Sequence, residues 1–238
     1  MDNLEIIILA AGQGKRMRSA LPKVLHALGG RPLLAHVLAA AEGLAPRAIH
    51  VVYGHGGEQV RAAFPGARVR WVEQAEQLGT GHAVQLAIDT VADDALVLVL
   101  YGDVPLIRIE TLRALLAEAE RTGLGLLTAE VADPSGYGRI VRHPLGHVER
   151  IVEQKDATPE EAAIREINTG VLAARAALLR PWLARLENRN AQREYYLTDV
   201  IAMAAADGIE VATRRPQAVW EVLGVNSKRE LAELERIY

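Results

Sequence analysis

The chain has 238 residues, half of them hydrophobic and about a quarter charged, with a net charge of −3 and no cysteine. That length suits one large domain, or one domain with a small lobe, burying roughly 70% of the unfolded surface. The charge excludes a global positive field for nucleic acid or an anionic membrane, and the missing cysteines exclude disulfides, thiolate metal sites and a cysteine nucleophile. The acidic start, Met1-Asp2-Asn3-Leu4-Glu5, lacks the basic residues and long apolar stretch of a secretory signal. Ala95 to Tyr101 is apolar but far too short to span a bilayer. A cytoplasmic setting, with no membrane or nucleic-acid partner, is the expectation.

Short β-rich runs alternate with longer helical ones. Leu4 to Leu9 reads as a strand followed by a glycine loop, and Pro32 to Glu42 as a helix with Leu33, Leu34, Val37, Leu38 and Ala41 on one face. Ile49 to Tyr53 is a strand, Glu58 to Ala63 a short helix and Val69 to Val72 a further strand. Gly79-Thr80-Gly81 introduces a helix through about Val91. Leu96 to Leu100 is a strand ending at Tyr101-Gly102-Asp103, Ile109 to Arg121 a helix, and Leu124 to Val131 a strand. This alternation predicts an α/β fold, a mostly parallel central sheet with helices on both faces. The uniformly apolar Ile6-Ile7-Ile8-Leu9 and Leu96-Val97-Leu98-Val99-Leu100 suit strands covered on both sides. Ligands of such sheets gather beyond the carboxyl ends of the strands, where Gly12 to Arg18 and Gly102-Asp103 lie. After Val131 the rhythm changes: Arg139 to Arg142 and Val148 to Val152 suggest a hairpin, Ile167 to Leu172 a strand, and Ala174 to Leu186 and Leu197 to Ala206 helices. Pro134 to about Asn190 is read as a smaller lobe over the ligand edge. Ser227 to Tyr238 is a helix, with Ser227 as N-cap and Glu230 at the capping-box position.

The loop Leu9-Ala10-Ala11-Gly12-Gln13-Gly14-Lys15-Arg16-Met17 can bring backbone amides close to a phosphate without Cβ hindrance. Met17 stands where the dinucleotide fingerprint needs glycine, and no Gly-Lys-Ser/Thr makes it a Walker loop. Lys15, Arg16, Arg18 and Lys23 crowd this segment without an acid among them; a solvated turn is the plain alternative.

Pro22-Lys23 shifts the balance. The strings LAAGQGKRM and PKVLH resemble the nucleoside-diphosphate-sugar pyrophosphorylases. The match is closest to the amino-terminal uridylyltransferase domain of bacterial bifunctional N-acetylglucosamine-1-phosphate uridylyltransferase/glucosamine-1-phosphate acetyltransferases. QAEQLGTGHA, YGDVPL, GYGRI, IVEQKDA, EINTG, YYLTD and GVN follow in family order, so the resemblance covers essentially the whole chain. It implies a Rossmann-like nucleotidyltransferase fold with a sugar-side lobe. The implied reaction joins UTP to N-acetylglucosamine-1-phosphate, giving UDP-N-acetylglucosamine and pyrophosphate, a cell-wall precursor step.

For that chemistry the attacking phosphate is already anionic, so positioning, cations and a metal matter more than a general base. The resemblance makes Arg16 and Lys23 catalytic and Asp103 and Asn226 the ligands of Mg2+. It places Leu9, Ala10, Ala11, Gly12 and Gly14 around the nucleotide, with Gln74, Gly79 and Thr80 at the base. Tyr101, Gly102, Gly138, Glu153 and Asn168 fall on the sugar side. Taken alone, Asp103 also reads as a turn cap before Pro105, Asn226 as a turn residue and Gln74 as a loop amide; because an amide flips, Gln74 does not by itself exclude cytosine. Lys15 replaces the Thr or Ser common in the wider superfamily and is expected to add phosphate attraction.

The seven histidines show no metal-ligand spacing, with His26 and His82 read as structural. Trp71, Trp182 and Trp220 are read as packing, and Ser135 and Ser227 lack a nucleophile elbow. Another sugar-phosphate nucleotidyltransferase, or a binding module that lost catalysis, stays open as an alternative. The bifunctional relatives continue into a left-handed β-helix that transfers acetyl groups and forms trimers. This chain has no hexapeptide repeats, so the expectation is a catalytic domain over 1–226, the start of a linker helix over 227–238, no acetyltransferase domain, and a monomer or weak oligomer.

Overall fold

Strands without a polar face need cover on both sides, and the computed structural model, which describes residues 2–238 apart from the Lys15 side chain, supplies it. In chain order the elements are β1 (Leu4–Leu9), β2 (Ala27–Leu28), β3 (Arg31–Pro32), α1 (Leu33–Glu42), β4 (Ala48–Tyr53), α2 (Gly57–Ala62), β5 (Arg70–Glu73), α3 (Thr80–Ile88), β6 (Leu96–Tyr101) and α4 (Ile109–Thr122). There follow β7 (Leu124–Glu130), β8 (Arg139–Arg142), β9 (Val148–Val152), α5 (Pro159–Ala162), β10 (Glu166–Arg175), α6 (Ala176–Ala184), α7 (Asp199–Ala206), β11 (Ala212–Arg214) and α8 (Lys228–Ile237). Short 3-10 turns occupy Lys15–Met17, Lys23–Leu25 and Val219–Val222.

The main sheet runs β11-β7-β10-β6-β1-β4-β5. β1 is parallel to β4 and β6, β4 to β5, and β7 to β11, while β10 lies antiparallel to β6 and β7. Ile6, Ile8, Leu98 and Leu100 pack with Leu34 and Val37 of α1 and Leu112 and Leu115 of α4. On the other face Ile7, Val97 and Val99 meet Val84 of α3, Leu179 and Trp182 of α6, and Val200 of α7. The expected α/β architecture is therefore present, and no described helix is long and apolar enough to cross a membrane.

This topology sets the ligand edge. β4 and β5 extend the sheet on one side of β1, while β6 lies on its other side, so the winding reverses between β1 and β6. The carboxyl ends of two parallel neighbours open a crevice at such a reversal. Leu9 stands beside Tyr101 in register, which brings the glycine loop and Asp103 to that one crevice.

Some boundaries differ from expectation. The segment read as a helix from Ala174 begins as strand, because Ala173 and Ala174 pair with Leu98 and Val97 on one side and Gly125 and Leu124 on the other. Burial between two strands outweighs the helix preference of alanine there. The smaller lobe is accordingly narrower than 134–190. The β8–β9 hairpin joins β10 through the pair Ile167 and Arg139, but the later half of β10 and α6 belong to the main core. α7 starts at Asp199 rather than Leu197, whose amide donates to Thr80 Oγ1 at 3.1 Å. β2, β3, α5 and β11 are too short to carry a periodic signal, although α5 has a full capping box from Thr158 and Glu161.

Candidate active site

The loop after β1 turns at Gly14, where φ is +60° and a Cβ would lie 2.8 Å from the Lys23 Cβ. Glycine both permits this conformation and lets the loop lie against Lys23. Met17 N then donates to Gly14 O at 2.8 Å, and the Met17 side chain buries beside Leu28, Leu33, Val225 and Leu234. That small cluster ties the end of the glycine loop to the chain around Asn226 and to α8. Arg16, between two anchored points, stays exposed.

Lys23 enters from the 3-10 turn after Pro22, where its neighbour Val24 is buried. Its ammonium donates to the Asp103 carboxylate, and to Asn226 Oδ1 at 3.1 Å. Both partners of the ion pair are largely buried, with side-chain exposures of 14% and 12%. Val225 N donates to the Asp103 carbonyl at 2.8 Å, so backbone as well as side chains holds the two segments together. Asp103 and Asn226, 123 positions apart in sequence, thus share one cation. The Ser227 hydroxyl caps α8 by accepting from Glu230 N at 3.2 Å, as expected. The Glu230 carboxylate, however, accepts from Asn226 N at 2.7 Å rather than from the cap residue itself, because the chain bends back toward Asp103 one residue before the helix.

Two hollows meet at Lys23. One, of about 450 Å³, is lined by Leu9, Ala10, Ala11, Gly12, Gln74, Gly79, Thr80, Tyr101 and Asp103, among others. The other, about 260 Å³, is lined by Gln13, Gly14, Arg16, Lys23 and Asn226. The first is large enough for a nucleoside, and the second collects the cations and loop amides suited to phosphates. The Asp103 and Asn226 side chains offer hard oxygen donors converging where an ammonium already sits, a donor set that fits a divalent cation with phosphate and water completing its shell. The Lys15 side chain, expected to assist, lies outside the described residues.

Gln74, which lines the larger hollow, is only 3% exposed. Its Nε2 lies 3.0 Å from Gly79 O and 3.2 Å from His82 Nδ1. Gly79 has φ +111°, and a Cβ there would fall 2.5 Å from Tyr195 O, so this tight approach to the chain before α7 requires glycine. Burial, reinforced by the charges of Glu153 and Asp103, raises the Tyr101 phenol far above its ordinary range, leaving it a neutral hydroxyl.

The residues expected on the sugar side lie together next to Tyr101. Asn168 N donates to Gly138 O at 2.8 Å, and a Cβ on Gly138 would come within 3.5 Å of both Glu153 carboxylate oxygens. Asn168 Oδ1 accepts from Gly170 N at 3.0 Å, and Gly170 takes φ +86° with the Tyr101 ring against it. The Thr198 hydroxyl donates to Glu153 at 2.9 Å. Burial nevertheless raises the Glu153 carboxyl above its usual range, helped by the charges of Asp199, Asp156 and Glu194. Gly102 closes the arrangement, its N–H donating to Leu9 O at 2.9 Å.

Sequence reasoning missed Gln13, Gln77 and Glu194, which also line the larger hollow, and Thr198, which holds Glu153. Each lies inside or beside a motif already singled out, but nothing local shows which face it presents. It also found no metal-ligand spacing among the histidines, whereas the β8–β9 hairpin stacks His143 on His147 at 4.4 Å and brings Glu149 alongside, with ligand atoms within 4.8 Å of one another. Of the tryptophans, Trp182 is buried, Trp71 packs on the core and Trp220 lies under Arg108, all packing roles as expected.

Comparison with known proteins gives the family of the chain. The bifunctional protein GlmU of Aromatoleum aromaticum is 62% identical over 235 residues, covering 99% of this chain and 52% of that protein. The GlmU protein of Azoarcus sp. is 60% identical over the same shares. The chain thus spans about half the length of these curated relatives, and the resemblance read from its motifs is borne out. The crystal structure of UDP-glucose pyrophosphorylase complexed with UDP-glucose superposes with a TM-score of 0.80 at 17% identity, covering 100% of this chain and 98% of that one, a likeness of fold. The family model of the MobA-like NTP transferase domain matches residues 6–197, and the chain belongs to that family.

Proposed function

We propose that the chain transfers the uridylyl group of UTP to N-acetylglucosamine-1-phosphate, releasing pyrophosphate and forming UDP-N-acetylglucosamine. The observation that carries this reading is the meeting of Lys23, Asp103 and Asn226 beneath the glycine loop, between a nucleoside-sized hollow and a cationic one. An oxygen of the sugar phosphate forms a bond to the α-phosphorus of UTP, while the bond from that phosphorus to the bridging oxygen of pyrophosphate breaks. Arg16 and the amides around Gly12 and Gly14 hold the triphosphate. Lys23 supplies a positive charge beside the reacting phosphates, offsetting the repulsion of two anions. Arginine's fork suits paired phosphate oxygens, whereas lysine is a mobile point charge. Asp103 and Asn226 hold Mg2+, which when bound neutralises part of the charge shared by nucleotide and sugar phosphate.

Gln74, Gly79 and Thr80 receive the uracil. Gly138, Glu153 and Asn168, with Tyr101 and Gly102, receive the acetylated sugar through groups able to bond hydroxyls and an amide. Residues 1–226 form the catalytic unit, working in the cytoplasm on small molecules as a monomer or weak oligomer. The test is pyrophosphate release from UTP and N-acetylglucosamine-1-phosphate, with and without Mg2+, for the parent chain and Asp103→Ala. Metal-dependent release by the parent and its loss in the variant are expected. No metal-dependent product from the parent defeats the reading.

A further inference from the structure

We infer that His82, a residue with no expected role in the chemistry, sets the base preference of the site by locking the Gln74 amide so that it offers only an acceptor. The inference rests on the proposed nucleotide site and concerns how that site chooses its base. A primary amide has two faces, a carbonyl acceptor and an NH2 with two donors, and a free glutamine can present either. Gln74 is not free. The atom 3.0 Å from the Gly79 carbonyl must be the nitrogen, because that carbonyl can only accept. The same nitrogen lies 3.2 Å from His82 Nδ1, so its second proton is donated to the imidazole, whose own proton then resides on Nε2. Both amide protons are consumed within the protein. Among the described residues Oε1 receives no hydrogen bond, and the side chain lines the nucleoside-sized hollow.

The two locking acceptors are themselves held. Gly79 takes a backbone conformation open to glycine, pressed against Tyr195. His82 occupies the first turn of α3, where Gly81 N donates to Tyr195 O at 2.8 Å and the His82 ring lies 6.4 Å from the Tyr195 ring. An acceptor presented alone suits the imide N3–H of uracil. Cytosine in the same pose would set its N3 lone pair against Oε1, an unpaired buried contact of the kind that discriminates strongly between analogues. His82 is thus a positioning residue for base choice. The lock removes the ambiguity that an isolated glutamine carries.

The experiment is isothermal titration of the full chain with UTP and with CTP, for the parent, His82→Leu and His82→Asn. Leucine leaves the Gly79 carbonyl as the one acceptor on the Gln74 nitrogen, so the amide can turn about that bond and bring its freed N–H to cytosine N3, and the preference for UTP over CTP is expected to fall by about tenfold or more. Asparagine places an acceptor oxygen where Nδ1 was, and is expected to restore most of the preference. General damage to the fold weakens both nucleotides and leaves their ratio unchanged. A parent-like ratio in His82→Leu overturns the lock while leaving the uridylyl-transfer reading intact. A parent that binds UTP no better than CTP defeats that reading and the lock with it. Nitrogen-15 NMR of the parent gives a readout independent of any variant: Nδ1 of His82 is expected to be unprotonated and Nε2 protonated, and the opposite tautomer overturns the inference.

Discussion

The buried pair at the amino-terminal ends of the strands, remote from the nucleotide crevice, allows stability to be perturbed without touching the chemistry. Glu5 of β1 is 2% exposed and His50 of β4 is fully buried. His50 Nε2 donates to Glu5 Oε2 at 2.8 Å, while Glu5 Oε1 accepts from Ala92 N at 3.2 Å and Arg47 Nε at 3.1 Å. Replacing Glu5 with alanine strands one wholly buried imidazole N–H and one partly buried backbone N–H. At about 1–3 kcal/mol for each orphaned group, the loss should be about 3 kcal/mol. That is a large share of a net stability of about 5–15 kcal/mol, and in a chain of this length it lowers the melting midpoint by about 6–12 °C. Urea unfolding followed by circular dichroism measures it. Removing both partners together, as Glu5→Leu with His50→Leu, should recover much of the loss, since the buried imidazole N–H is then gone and the partly buried Ala92 N–H is the group still stranded.

The same pair sets a pH dependence. Burial alone would raise the Glu5 carboxyl, but its bonds to His50, Ala92 and Arg47 outweigh that and hold it below the ordinary range. Burial pushes His50 below its ordinary value, with Glu5 opposing only in part. As pH falls through about 6.5, the unfolded chain takes up a proton at His50 that the folded chain refuses, so stability drops. Below about 4.5 Glu5 adds a second loss of the same sign. In His50→Leu the upper limb should vanish and the lower should weaken, because Glu5 loses one of the bonds that hold its carboxyl down. A loss under about 1 kcal/mol for Glu5→Ala, or an unchanged upper limb in His50→Leu, refutes this account.

At the crevice, Asn226→Ala should lower turnover by about 10²–10³-fold, the cost typical of removing one oxygen or donor from a preorganised charged site, and raise the Mg2+ concentration needed for half activity. Steady-state pyrophosphate release read across a metal titration checks both. Gly170→Ala forces a Cβ into the Tyr101 ring at a left-handed backbone position, and should cost about 1–2 kcal/mol in urea unfolding while raising the KM for the sugar phosphate more than that for UTP. Glu230→Ala leaves the Asn226 amide without its acceptor and should destabilise by about 1 kcal/mol, with a weaker apparent affinity for Mg2+ as the second readout.

Much of this protein was legible from residue order alone. The apolar runs at Ile6 to Leu9 and Leu96 to Leu100 announced strands covered on both faces, because a strand with no polar side has only one stable environment. The glycine loop and Asp103 were recognisable by type and by their position beyond strand ends, and Lys23 and Gln74 by the family resemblance of the strings that hold them. Less was legible where several elements compete for one segment. Ala173 and Ala174 carry a helix preference, and only their place between β6 and β7 makes them strand. Tertiary structure alone brought Asn226 to Asp103, through the Val225 bond, the Glu230 carboxylate and the Met17 cluster, none of which is near Asp103 in the chain. It alone also decided which way the Gln74 amide faces. Local sequence dictates backbone preference and chemical type. The direction in which a flexible polar side chain points depends on which donors and acceptors the completed fold has set around it.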